Sequence, residues 1–214
     1  FGALGYLNVA DQNRNGAVLR SAMKSVGANK INANGSLSVN ANKEWSEITG
    51  IMVNNPDAAD AVASGVSNSG LMNYLNKFGF ASGYETYDNV GELYYAALLY
   101  LRGKAPPVEY SNNLTTVMKD DFPVITGANL LAGGSRDPMI MSCQKNFILG
   151  IGDKNTWCDG NLPGSSASLC TAGKPVDPDG LNVSTLWNTV YGMEGLTGRG
   201  WVGGVNDQAT PYMA

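Results

Sequence analysis

The order of apolar and polar residues divides this chain into a few readable elements separated by long polar stretches. Residues 1–10 and 16–24 are strand-like runs around Asp11-Gln12-Asn13-Arg14-Asn15-Gly16. Asn-Gly between two such runs supplies the positive φ values of a tight turn, so this part reads as a β-hairpin with Asn15-Gly16 in the turn. Residues 27–54 are polar and irregular, with Trp45 as the single large anchor. A helix is predicted from about 56 to 78. Pro56 fits its first turn, Val62, Val66, Tyr74 and Phe78 recur at spacings of four or eight, and Leu71 and Leu75 widen the stripe. Gly79 would end it. Gly65 and Gly70 fall inside it, each costing about 1 kcal/mol against Ala, which points to close packing there. The clearest element is a second helix over about 90–102. Val90, Leu93, Tyr94, Ala97, Leu98 and Leu101 follow the spacing of one buried face. Asn89 is placed to cap it with Glu92 reaching back, and Gly103 followed by Pro106-Pro107 ends it.

Residues 104–142 are loop-rich. Phe147-Ile148-Leu149-Gly150-Ile151 is then a short continuous apolar run. Strands apolar on both faces belong to parallel sheets covered by helices, so 146–151 is expected as an interior strand with helix 90–102 packed on the sheet. Asp153 follows its end, and open α/β sheets bind ligands beyond the carboxyl ends of their strands. Residues 154–183 read as a long loop insertion. A short helix is expected over Ser184–Tyr191, with Leu186, Trp187 and Val190 turned inward.

Composition narrows the class. The 214 residues suit one domain, and 43% hydrophobic residues allow a real core. No run approaches the roughly 18 apolar residues of a membrane span. A net charge of −4 lacks the basic footprint of a nucleic-acid-binding protein. The chain starts at Phe1 inside a strand-like run and ends on Ala209-Thr210-Pro211-Tyr212-Met213-Ala214, so it is expected to be a fragment, incomplete at its N-terminus and continuing at its end. Cys158 and Cys170 flank a polar loop that a disulfide would staple, worth about 3 kcal/mol in the loop-entropy picture; the alternative is two free thiols. Cys143 has no visible partner. The chain contains no histidine, which removes Ser-His-Asp and Cys-His catalysis and imidazole-dependent zinc sites.

Short motifs carry little chemistry. Ser21-Ala22-Met23-Lys24 and Ser142-Cys143-Gln144-Lys145 match S-x-x-K, but neither opens a predicted helix and the companion motifs are absent. Gly198-Arg199-Gly200-Trp201-Val202-Gly203 matches G-x-G-x-x-G without the strand before it and helix after it that a dinucleotide needs. Asp11-Gln12-Asn13-Arg14-Asn15-Gly16 resembles half a calcium loop, yet Ala22 stands where the bidentate acid belongs. Asp177-Pro178-Asp179-Gly180 reads as a turn. One constellation suits a hard cation: Thr86 and Asp88 before the second helix, with Asp153 after the apolar strand. Thr86 and Asp153 are expected to face one another across the carboxyl edge of the sheet, where their oxygens could ligate Mg or Ca. Otherwise Thr86 and Asp88 serve the helix start and Asp153 a loop.

Taken in order, several segments resemble one family. They are Asn73-Tyr74-Leu75-Asn76-Lys77-Phe78-Gly79, Tyr84-Glu85-Thr86-Tyr87-Asp88-Asn89-Val90-Gly91-Glu92-Leu93-Tyr94-Tyr95-Ala96-Ala97-Leu98, and Leu101-Arg102-Gly103. Further along come Ser142-Cys143-Gln144-Lys145-Asn146-Phe147-Ile148-Leu149, Gly152-Asp153-Lys154-Asn155-Thr156, Asn161-Leu162-Pro163-Gly164 and the closing Asp207 to Ala214. The whole is similar to the PilY family of type IV pilus tip-associated adhesins. The resemblance implies an α/β fold of the von Willebrand factor A-like type, a mostly parallel sheet flanked by helices with long loop-rich insertions, without the family's C-terminal β-propeller. It also implies a metal-ion-dependent adhesion site, with Thr86 in the second loop position and Asp153 in the third. D-x-S-x-S, the first-loop motif, occurs nowhere in the chain and is expected before Phe1; Asp153 stands in Gly-Asp-Lys rather than Thr-Asp-Gly.

The resemblance further implies an extracellular protein of the pilus tip or bacterial cell surface, exported via the periplasm. It would act in pilus assembly, surface adhesion and twitching motility. Its partners would be minor pilins, the pilus tip and a host or abiotic surface, with no nucleic acid and no membrane span. The chain is then expected not to be an enzyme. The other readings are a secreted hydrolase without histidine chemistry and a glycan-binding structural domain.

Overall fold

The computed structural model describes residues 1–8, 16–77, 89–152, 160–165 and 174–196. Among these the fold is mixed α/β, built on an antiparallel hairpin. Strand β1 (Ala3–Tyr6) pairs with β2 (Ala17–Ser21), Leu4 opposite Leu19 and Tyr6 opposite Ala17. The hairpin predicted from the two strand-like runs is therefore realised; residues 9–15 of the predicted turn, Asn15 among them, lie outside the described residues. A second, exposed hairpin pairs β3 (Asn29–Ile31) with β4 (Leu37–Val39) inside the stretch read as irregular.

All five residues of β2 are buried. Successive side chains on a strand point to opposite faces, so a strand buried throughout needs cover on both. Helices provide it. The stretch predicted as one helix over 56–78 is two: α1 (Ala58–Ser64) and α2 (Leu71–Lys77). Gly65 closes α1 in the left-handed conformation, φ 63°, and Gly70 sits at φ 100° before α2. The two glycines taken as packing positions are the break itself. Of the predicted inward stripe, Leu71 and Tyr74 are buried, while Val62 and Leu75 are exposed. Phe78 and Gly79 lie outside the described residues.

Helix α3 (Val90–Leu101) matches its predicted span, but the face is rotated. The buried set is Glu92, Tyr95, Ala96, Leu99 and Tyr100, with Ala97 at its margin, whereas Tyr94 is exposed. Residues 92, 95, 96, 99 and 100 obey the same i, i+3, i+4, i+7, i+8 rule as the predicted set, because this helix is apolar nearly all round and periodicity alone does not choose.

One face of the hairpin meets α2. Ala3, Val26, Leu71, Tyr74 and Phe122 form a cluster there with Trp45 packed against it, so the predicted anchor is real. A Cβ on Gly5 would collide with the Tyr74 hydroxyl, so the helix approaches the strand closely only because that residue is glycine. The other face meets α3 through Leu19, Ala22, Tyr100, Ile125 and Leu130. Leu19 also bridges antiparallel to Ile125, giving β2 a partner on its second edge.

Three short elements follow: α4 (Val108–Ser111), α5 (Thr116–Lys119) and a 3-10 turn at Ala128–Leu130. Residues 146–151 do not form the predicted interior strand. They belong to no strand, and Phe147, Leu149 and Ile151 are each more than four-fifths exposed. Every strand pair among the described residues is antiparallel, so the expected parallel sheet is not seen there. The last element, α6 (Val183–Met193), covers the predicted Ser184–Tyr191 but buries nothing: Leu186 and Val190, expected inward, are about half exposed.

Candidate functional site

The buried interior of the hairpin holds charge. Arg20 is 1% exposed, and its guanidinium donates to the backbone carbonyls of Tyr6 (2.6 Å), Lys119 (2.8 Å) and Phe122 (3.3 Å). It also lies over the Tyr74 ring, 5.6 Å from the centroid. Planar forks with five donors suit such a cage of carbonyls. Burial lowers the Arg20 pKa, yet arginine stays protonated throughout the physiological range. Lys77 approaches the same Tyr74 ring from α2 and contacts Asp120; burial and the Arg20 charge lower it to about 8.

A second ionic group ties the polar stretch 40–57 to α2. Glu44 accepts from the backbone N–H of Leu71 (2.8 Å) and Met72 (2.6 Å), satisfying orphan donors of the helix start. Lys24 bridges Glu44 and Asp57. Burial raises the Asp57 pKa, and the Lys24 ammonium opposes that rise.

The third group lies at the start of α3, where the sequence placed its candidate ligands. Asn89, Glu92 and Asn161 are all fully buried. Asn89 makes no side-chain cap, and Glu92 Oε1 accepts the backbone N–H of Asn161 at 2.7 Å. The predicted capping box is thus replaced by a tertiary bond. Tyr110 donates to the Asn161 carbonyl at 2.7 Å, and Leu162 packs on Tyr95, Leu99 and Tyr110. Among the described residues, neither side-chain amide atom of Asn89 or of Asn161 has a hydrogen-bond partner. Buried amides in that state cost about 1–3 kcal/mol each.

One turn along α3, Tyr95 donates to Asp177 Oδ2 at 2.8 Å, and Asp177 Oδ1 accepts from Asp179 N (2.9 Å) and Leu181 N (3.0 Å). Burial and this bond to Asp177 raise the Tyr95 phenol far above its usual pKa. For Asp177, burial pushes upward, but the Leu181 N–H and the Tyr95 hydroxyl outweigh it and the net shift is downward. Arg102 and Lys104 pair with Asp179 at the surface. Residues 160–165 and 177–181, both inside the predicted 154–183 insertion, are therefore pinned to α3.

Thr86, Asp88 and Asp153, the candidate metal ligands, lie outside the described residues, as do Cys158 and Cys170. So does the expected facing of Thr86 and Asp153 across a sheet edge. The third cysteine, Cys143, is exposed and free. Among the described residues, no group of three or more His, Cys, Asp or Glu side chains is placed to hold a metal ion. No helix there is long and apolar enough to cross a membrane. Sequence reasoning missed Arg20, Glu44 and Asn161. Arg20 sat in a strand-like run and Glu44 in polar sequence, with nothing local to mark burial.

A family model described as the second domain of PilY1 homologs matches residues 9–213. The type IV pilus biogenesis factor PilY1 homolog of Xylella fastidiosa (strain Temecula1 / ATCC 700964) is 35% identical over 201 residues, covering 85% of this chain and 16% of that protein. No solved structure matches. The chain thus spans about a sixth of the length of this curated relative. With the matched region running through nearly all of the sequence, the chain belongs to the PilY1-homolog family and corresponds to its second domain.

Proposed function

We propose that this chain is a non-enzymatic module of a type IV pilus tip protein, acting in pilus assembly, surface adhesion and twitching motility. Its membership of the PilY1-homolog family carries the reading, since the Xylella relative is named a type IV pilus biogenesis factor. The charge chemistry is compatible with a binding module: Arg20, Glu44 and Glu92 are buried and engaged with backbone groups of other segments. The absence of histidine removes the commonest acid–base catalyst. The natural partners in this reading are minor pilins, the pilus tip and a host or abiotic surface. The location is extracellular, at the pilus tip or cell surface, reached through the periplasm.

A von Willebrand factor A-like region over residues 1–214, incomplete at its N-terminus, belongs to the same reading. So does a Mg or Ca ion held by Thr86 and Asp153, with Asp88 beside them. Carboxylate and hydroxyl oxygens suit both ions. The test is deletion of residues 1–214 from the full-length protein in its own bacterium. Surface pili, attachment and twitching should fall sharply and return with the intact gene. Unchanged piliation, attachment and twitching would refute the proposal.

A further inference from the structure

Residues 147–151 combine three properties rarely left together at a surface. First, Phe147, Ile148, Leu149 and Ile151 are 84%, 41%, 85% and 81% exposed. A single exposed leucine is ordinary, but four large apolar residues in five consecutive positions mark a contact. Second, among the described residues no backbone N–H or C=O of 147–151 is hydrogen-bonded. An apolar run outside any strand, with its backbone groups unpaired, is available for strand pairing. Third, Gly150 has open space around its Cα, so another backbone can approach it closely.

Helix α6 adds an independent observation. It buries none of its residues, yet Leu186, Val190 and Met193, at i, i+4 and i+7, share one face and are 49%, 50% and 82% exposed. An amphipathic helix owes most of its stability to packing of that face. Two apolar elements of one chain are thus left without a layer to cover them.

We propose that residues 147–151 pair, as a strand, with a sheet carried by the same natural polypeptide outside residues 1–214, and that α6 packs on the same added layer. Two arguments select this occupant. The chain covers 16% of its relative, whose remaining length lies outside the matched region, and a partner tethered in the same polypeptide would bind at high effective concentration. The run is also apolar on both faces, which demands cover above and below. A second copy pairing edge to edge through 147–151 would satisfy the backbone but leave both faces wet. This inference concerns the packing of the domain and stands apart from the pilus reading.

Amide hydrogen exchange on the full-length protein, set against an unstructured peptide of the same 140–152 sequence, tests it. Amides 148–151 should exchange about 100-fold or more slower in the full-length protein, at rates independent of protein concentration. Equal rates in both would overturn the proposal. Protection that grows with concentration would assign the strand to a second copy and overturn it as well. Leu149→Pro removes a ladder donor. In the full-length protein it should open residues 140–152 to protease, while the amides of α3 stay protected. Indifference of the full-length protein to this substitution would also refute the pairing.

Discussion

Lys24 Nζ stands 2.9 Å from Glu44 Oε1, and that carboxylate, 1% exposed, holds the first two backbone N–H groups of α2. A residue in irregular sequence thereby starts a helix 27 positions later. Glu44→Ala should cost about 3 kcal/mol, because it strands both helix donors and takes one of the two carboxylates from Lys24. Glu44→Gln keeps one acceptor and should cost less. Urea denaturation at neutral pH gives the order; equal midpoints for Ala and wild type would contradict the capping role.

Arg20 should be harder still to replace. Lysine brings a point charge without the fork, so Arg20→Lys is expected to lose about 2–3 kcal/mol, and Arg20→Ala more, since buried carbonyls of Tyr6 and Phe122 lose their donor. Thermal unfolding of the two variants provides the comparison. Arg20→Lys matching wild type would show that charge alone suffices.

Asp177 sets an acid limit. Its folded pKa lies below the ordinary 3.8, so its contribution is present above about pH 4 and is lost as the pH falls through the lowered folded value. Asp177→Asn should be less stable at neutral pH and flatter in its stability profile between pH 5 and 2. A variant profile parallel to wild type in that window would remove Asp177 from the account.

The hairpin and α3 were legible because their patterns are local: two strand-like runs flanking Asn-Gly, and a 3.6 period over three turns. The face of α3 was not, since Leu93 and Tyr94 are as apolar as Ala96 and Leu99, and only contact with Leu19 and Tyr110 decides between them. The break at Gly65 and Gly70 was visible as a cost but read as packing. Residues 146–151 illustrate the reverse case: the apolar run was read as an interior strand, but burial depends on neighbours that the described residues do not supply. Arg20, Glu44 and Asn161 were illegible because each is defined by a partner dozens of residues away.

With the proposed extracellular location, Cys158 and Cys170 should be joined by a disulfide. Peptide mapping without reduction should yield the two cysteines in one linked species. Both appearing alkylated would establish free thiols instead.

Divalent cations should act through Thr86 and Asp153. In the full-length protein, Ca or Mg should raise the melting temperature, and Thr86→Ala or Asp153→Ala should abolish the increment while leaving the metal-free transition in place. An increment unaffected by both substitutions would place the ion elsewhere.

The bonds of Arg20 also set an order of events. Its carbonyl acceptors at Lys119 and Phe122 lie 99 and 102 residues downstream. Until that later segment is available, the guanidinium has only Tyr6 near it along the sequence, and burying it would cost more than the hairpin returns. The β1–β2 hairpin is therefore expected to stay open until residues 119–125 have been made and to close late, together with that segment, as folds dominated by non-local contacts do. Synthesis from residue 1 onward would leave the hairpin pliable until Phe122, its acceptor 102 residues downstream of Arg20, had been added.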